Sequence, residues 1–311
     1  MQRVRKQVED IFGDREDGGY GIAAAMLDTG VAPHPDLREK VLCFRDFVKH
    51  NRPGTYGKFP FYDDNGHGTH VAGILCGSGE LSQGKYRGLA PGVRLVVGKV
   101  LDERGDGDTE AMLEGLNWVL KIKDRYRIRI LNISVGIGDL EDARKESALR
   151  EKLEQIWESG ILVVCAAGNK GPKEGSVSSV GGSSKVVTVG CHDGNFFSGN
   201  SRRCENYSGR GVLGAVPIKP DLVAPGTDIV SCHVGCYILR GQYRNAYVAK
   251  SGTSMATPIV SAAAALALER YPELNNEECK QRLQYTANDL GAPWNQQGWG
   301  MVNVRRLLGE A

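Results

Sequence analysis

Short, uninterrupted apolar runs alternate with helix-period stretches along most of this chain. Ile22 to Leu27, Arg94 to Leu101, Ile128 to Ser134 and Ile161 to Ala167 are rich in branched residues and read as strands buried on both faces. Between them His70 to Cys76, Thr109 to Asp124 and Ala143 to Ser159 carry a helical pattern, with Ala111, Leu113, Leu116, Trp118 and Leu120 as packing candidates. Shorter strands are predicted at Val186 to Val189, Asp228 to Ser231 and Tyr247 to Lys250. A long apolar helix is expected to start near Ser254: Thr257-Pro258 followed by Ile259 to Leu268 supports that placement, because proline is tolerated near a first turn but disrupts a helix interior. Strands alternating with amphipathic helices predict an α/β fold of parallel βαβ units. No Pro/Ser-rich linker or charge block divides them, so one domain is expected over residues 19–311, preceded by a polar N-terminal extension, residues 1–18, that is either a weak helix packed on the body or a cover over the cleft.

Composition narrows the class. A chain of 311 residues can bury a sizeable core, and 39 basic against 37 acidic residues make no electrostatic case for nucleic acid. No stretch reaches the roughly 18 apolar residues of a membrane span. The segment Met1-Gln2-Arg3-Val4-Arg5-Lys6 lacks the apolar region of a secretory signal, which implies a cytoplasmic protein, or a secreted one if the chain is a trimmed mature form. The eight cysteines are accordingly read as reduced thiols, with Cys165 in a core strand and Cys76 in an apolar run. Cys232-His233 and Cys236 form one short pair without a second at ligand spacing, so no metal site is expected there.

Three separated segments carry chemistry. Ala25-Met26-Leu27-Asp28-Thr29-Gly30 supplies an acid, Asn65-Gly66-His67-Gly68-Thr69-His70-Val71-Ala72-Gly73 an imidazole, and Ser251-Gly252-Thr253-Ser254-Met255-Ala256-Thr257-Pro258 a hydroxyl. A serine hydroxyl is a poor nucleophile at neutral pH and needs a base to take its proton. Histidine, with an unperturbed pKa of about 6.5, can accept that proton and return it. A buried carboxylate fixes the imidazole tautomer and stabilises the imidazolium. Each segment alone is ordinary: Asp-Thr-Gly favours turns, and a lone histidine is more often structural than basic. The set assigns Asp28, His67 and Ser254 as catalytic.

The order Asp, His, Ser and the blocks Gly-His-Gly-Thr-His-Val-Ala-Gly and Gly-Thr-Ser-Met-Ala-Thr-Pro resemble the subtilisin-like serine peptidases, from about Gly21 to Asn303. That resemblance implies a three-layer α/β/α sandwich with a mostly parallel central sheet, endopeptidase activity through an acyl-enzyme, and polypeptide substrates. It makes Asn169, after the strand ending in Ala166-Ala167-Gly168, the side-chain donor to the oxyanion, and His70 the family's second, non-catalytic histidine. It lays the substrate as an extra strand along Arg104-Gly105-Asp106-Gly107-Asp108 and Ser134-Val135-Gly136, where glycines permit close approach. A pocket bounded by Ser134, Val135 and Gly136 and by Ala166, Ala167 and Gly168 would take a large apolar residue before the scissile bond. Asp106, Asp108 and Glu110 would favour basic residues two to four places upstream.

The chain departs from the family in two places, and in one of them Ser178-Ser179-Val180-Gly181-Gly182-Ser183, after Asn169, lacks the aromatic-Pro pattern common in relatives, which leaves the pocket depth open. Cys76 to Arg87 holds one carboxylate with Lys85 and Arg87, a poor cage for calcium, so that site is expected to be absent and no cofactor is required for the chemistry. Three rival functions fit less well, and the first, hydrolysis of small esters by the same acyl-enzyme chemistry, would be incidental in a cleft that pairs with an extended strand. Aspartic proteases also use Asp-Thr-Gly but need two copies on a mostly β fold, and one copy is present. A non-enzymatic scaffold on this fold would be expected to have lost a triad residue, and none is lost.

Overall fold

The structure is a computed structural model that describes residues 17–48, 60–135, 143–194 and 203–310. Gly136 and most of the expected N-terminal extension lie outside the described residues. Seven strands form one sheet: β1 (Ala23–Asp28), β2 (Val41–Asp46), β3 (Arg94–Lys99), β4 (Ile128–Ile133), β5 (Leu162–Ala166), β6 (Val187–Cys191) and β7 (Leu222–Ala224). All its pairings are parallel, in the order β2-β3-β1-β4-β5-β6-β7. Strands β1, β4, β5 and β6 are almost wholly buried, which is why they read as continuous apolar runs.

Helices α1 (His67–Cys76), α2 (Thr109–Tyr126), α3 (Ala143–Glu158), α4 (Thr253–Arg270) and α5 (Asn276–Tyr285) cover this sheet as a three-layer α/β/α sandwich. Helix α2 packs on α3 and on β1, whereas α4 lies across β4, β5 and β6 and against α1. Helix α4 is apolar nearly all round, as a helix enclosed by protein must be, and its alanines allow close packing. It begins at Thr253, so Ser254 lies in its first turn, as expected, and Pro258 sits in the second turn. Proline there has no N–H to give the Ser254 carbonyl.

The chain leaves β1 toward β2 and β3 on one side, and continues from β4 through β7 on the other. The carboxyl ends of β3, β1 and β4 therefore flank a topological switch point, the crevice where open α/β sheets bind ligands. Asp28 closes β1, and Ser134 follows β4.

A second, two-stranded antiparallel sheet joins β8 (Ile229–Cys232) to β11 (Tyr247–Lys250), and between them β9 (Tyr237–Leu239) pairs with β10 (Gln242–Arg244) as a hairpin. The remaining short helices are α6 (Trp294–Gln297) and α7 (Val304–Leu308).

One cysteine expectation is overturned. Cys191, at the end of β6, is bonded to Cys204, with Cα atoms 5.7 Å apart, so these two are not reduced thiols. Hydrogen bonds hold the same corner: the Cys204 N–H donates to Thr227 Oγ1 at 2.9 Å, and the Cys191 N–H donates to Ser208 Oγ at 2.9 Å. Cys76, Cys165, Cys232 and Cys279 are buried free thiols. Burial pushes Cys76, Cys165 and Cys279 up to about 12, so they stay protonated as small apolar side chains.

Candidate active site

Asp28 ends β1 at the switch point with its carboxylate fully buried. Its Oδ1 accepts the backbone N–H of Thr29 at 2.7 Å and lies 2.7 Å from His67 Nδ1. A carboxylate can only accept, so Nδ1 carries the hydrogen and the neutral ring keeps its lone pair on Nε2. Oδ2 of Asp28 is buried without a hydrogen-bond partner among the described residues, which leaves the imidazole as its main compensation.

The motif around His67 follows from this contact. A Cβ on Gly68 would stand 2.1 Å from the Gly30 carbonyl oxygen, so only glycine lets the first turn of α1 approach the end of β1. Gly66, just before the helix, has φ +96°, a region other residues rarely adopt. The His67 N–H of that first turn donates to Asn65 Oδ1 and the Gly68 N–H to Thr29 Oγ1, while Asp63 meets the Thr69 N–H and the N–H groups just before the helix. Its Oδ1 accepts from Asn65 N at 3.0 Å, Gly66 N at 2.8 Å and Thr29 Oγ1 at 2.9 Å. Its Oδ2 accepts from Thr69 N at 2.9 Å and Thr69 Oγ1 at 2.6 Å. Asp63 thus ties the histidine helix to the turn after Asp28.

Lys99 fixes the same corner from below. Fully buried, its ammonium donates to the Thr29 carbonyl at 3.0 Å, the Leu101 carbonyl at 2.6 Å and Asp64 Oδ1 at 2.6 Å. Neither Asp63 nor Lys99 stands out among the sequence motifs. Asp63-Asp64-Asn65-Gly66 before a helix is an N-terminal cap signal, and Lys99 is a lone charge at the end of an apolar strand, so both leave a trace.

The two histidines of α1 are electrostatically opposite. Burial disfavours the charged His67 ring, but the charge and hydrogen bond of Asp28 outweigh it, and its pKa is raised above 6.5. Burial and the charge of Lys250 push His70 down to about 3. His70 Nε2 donates to the carbonyls of Ile229 at 3.0 Å and Val248 at 3.1 Å, so it is a neutral brace between α1 and the second sheet.

Ser254 is the second residue of α4, half-buried, where unpaired N–H groups and the positive end of the helix dipole collect. Asn169 follows Gly168 at the end of the β5 segment and faces solvent. Its Oδ1 accepts both the N–H and the Oγ1–H of Thr253 at 3.1 Å. That leaves its Nδ2 hydrogens as donors beside the α4 N-terminus.

His67 and Ser254 line one open cavity of about 500 Å³ together with Thr29, Asn65, Leu101, Arg104 to Thr109, Met112, Ser134 and Val135. Of the expected cleft residues, Gly105, Asp106, Gly107, Ser134 and Val135 are brought together here. Ala166, Ala167 and Gly168 are not among its lining. The first two are buried where β5 meets β6, the Ala167 N–H bonded to the Val189 carbonyl at 2.9 Å, and Gly168 is half-buried. Asp108 Oδ1 caps α2 by accepting the Ala111 N–H at 2.7 Å, and Arg104 shares the cavity with Asp106.

Comparison with known sequences matches residues 19–300 to the subtilase family (Peptidase S8). The chain is 39% identical over 276 residues to the serine protease AprX of Bacillus subtilis (strain 168), covering 86% of this chain and 61% of AprX. It is 34% identical over 288 residues to the thermostable alkaline protease of Halalkalibacterium halodurans, and 32% identical over 290 residues to subtilisin DY of Bacillus licheniformis. Those matches cover 93% and 92% of this chain, and 68% and 90% of the relatives. The solved structure of sphericase superposes with a TM-score of 0.79 at 28% identity, over 96% of this chain and 97% of sphericase.

Proposed function

Because the chain belongs to the subtilase family, we propose that it is a serine endopeptidase that cleaves polypeptides through an acyl-enzyme on Ser254. The observation that supports this most is the 2.7 Å contact of Asp28 with His67 Nδ1 beside a cavity that Ser254 also lines. With Nδ1 engaged, His67 Nε2 is the base. It takes the Ser254 hydroxyl proton as Oγ attacks the scissile carbonyl carbon. The oxyanion so formed is met by the Asn169 side-chain amide and the Ser254 backbone N–H. The imidazolium then protonates the leaving amine, the C–N bond breaks, and water activated by the same histidine hydrolyses the ester.

Specificity follows the cavity. The segments around Gly105 to Asp108 and Ser134 to Val135 pair with the residues before the scissile bond, and the small Ser134 leaves room for a large apolar side chain there. Asp106 and Asp108 both line the cavity and would favour Lys or Arg two to four places upstream, with Arg104 in the same lining offsetting part of that charge.

The test is a cleavage-site profile on a proteome-derived peptide library, run with wild type and with Ser254→Ala. Internal cuts by wild type alone are expected; identical profiles, or none from either, would reject the peptidase assignment. Asn169→Ala should lower kcat about 10²–10³-fold with KM little changed, since the donor acts on charge that exists only in the transition state. Its thermal unfolding should also be recorded, because the same side chain holds Thr253.

A further inference from the structure

Asp193 follows β6 and is 3% exposed, a carboxylate enclosed by protein that takes no part in the chemistry above. Backbone pairing carries it to the turn after β7, because the His192 N–H donates to the Ala224 carbonyl at 3.1 Å. A buried carboxylate must be met by donors, and here that turn supplies them. Its Oδ1 accepts the successive N–H groups of Gly226 at 3.0 Å and Thr227 at 3.1 Å, and its Oδ2 accepts the Thr227 hydroxyl. Thr227 Oγ1 also accepts the Cys204 N–H, so the disulfide corner closes on the same turn.

That turn holds the segment leading to Ser254. The Gly226 carbonyl accepts the Gly252 N–H at 2.9 Å, and the Asp228 N–H donates to Ser251 Oγ at 2.9 Å. A Cβ on Gly226 would stand 2.6 Å from the Gly252 carbonyl oxygen and 2.5 Å from Cys191 Sγ, so glycine is required for this approach. Asp228 has φ +52°, a conformation that a residue with a side chain keeps when its surroundings hold it. Gly252 is the cap residue of α4, directly ahead of Thr253 and Ser254, and its carbonyl accepts the Met255 N–H at 3.0 Å. The start of α4 is therefore held from two sides, by Asn169 through Thr253 and by Asp193 through Gly226 and Gly252.

We propose that Asp193 is a positioning residue for the nucleophile: by fixing Gly226 it fixes Gly252, and with it the Ser254 hydroxyl and backbone N–H. This role rests on the peptidase activity proposed above. Its physical basis is orientation, since a misplacement of about 1 Å can cost on the order of 10²-fold in rate. Apart from Ser254, no residue lining the cavity with His67 belongs to this corner, so the loss falls on kcat and not on KM.

The experiment compares wild type, Asp193→Ala, Asp193→Asn and Thr227→Val for kcat and KM on an extended peptide, for the rate of labelling by a fluorophosphonate, and for Tm. The label reacts as Ser254 Oγ bonds to phosphorus and fluoride leaves, with His67 taking the proton, and it needs none of the peptide-binding segments. All rates are taken well below each variant's own Tm. Asp193→Ala is expected to lower kcat and labelling together by about 10–100-fold, with KM within about twofold of wild type. Asp193→Asn, whose Oδ1 still accepts both backbone N–H groups, should recover to within about threefold. Thr227→Val, which loses only the hydroxyl contacts, should fall between them. A folded Asp193→Ala with a lower Tm but unchanged kcat and labelling would assign the carboxylate to stability alone and overturn the proposal. A loss in KM with kcat kept would overturn it too, as would an Asn variant no better than the Ala one. If Asp193→Ala does not fold, Thr227→Val decides: a joint fall in kcat and labelling at constant KM upholds the role, and wild-type values overturn it. If wild type neither cleaves the peptide nor takes the label, the peptidase assignment itself fails and the positioning role falls with it.

Discussion

Ser254→Ala will lower kcat for peptide hydrolysis on the order of 10⁶-fold, the scale found for removing the corresponding hydroxyl in subtilisin, and will leave the molecule folded. The loss is so large because the acyl-enzyme needs an oxygen nucleophile, and neither His67 nor Asn169 can supply one. The residual rate, about 10³–10⁴ over water, comes from binding and from the oxyanion donors, which the substitution leaves in place. Folding is expected to survive for a local reason. Ser254 is the second residue of α4, and the cap position ahead of the helix is Gly252, which offers no side chain, so no cap is removed. Alanine is also the better helix former. The measurement is steady-state kcat on an extended peptide, with thermal unfolding as the control. A loss below tenfold in a folded variant would mean that Ser254 is not the nucleophile.

Much of this arrangement was legible in the sequence, and the parts that were not share a cause. The central strands announce themselves as branched apolar runs because they are buried on both faces. Strand β2 does not: at the sheet edge its residues are half-buried without alternation, so Val41 to Asp46 matches neither period. Helix α5 carries a capping box from Asn275 to Glu278, but it buries only Cys279, Lys280 and Leu283, too thin an apolar stripe to read as a helical period. Cys191 and Cys204, 13 residues apart, have no spacing that marks them as partners. Asp63 and Lys99 both reach Thr29, as well as Thr69 from Asp63 and Asp64 from Lys99, and these are contacts between separate segments that sequence order conceals.

Asp28→Asn is expected to lower kcat about 10⁴-fold and to move the acid limb of the pH profile to lower pH. The first effect is one of tautomer. The amide that replaces the carboxylate can offer its N–H to His67 Nδ1, which drives the ring hydrogen to Nε2 and removes the lone pair that should accept the Ser254 proton. The second is electrostatic. In wild type, burial disfavours the imidazolium, but the Asp28 charge and hydrogen bond raise the His67 pKa above 6.5. Activity requires the neutral ring, so it is present above that raised pKa and lost as pH falls through it. Removing the Asp28 charge leaves burial and the Lys250 charge in command, and the limb must shift down. The same pair has the opposite sign for stability. A histidine whose folded pKa exceeds its unfolded value stabilises the fold fully below the unfolded value, and that contribution fades as pH rises through the folded one. Wild type should therefore lose part of its Tm advantage over the amide variant across the window in which it gains activity. Recording kcat/KM and Tm between about pH 5 and 9 checks both, the range spanning histidine titration. An acid limb that stays put or moves up would show that Asp28 does not set the charge state of His67.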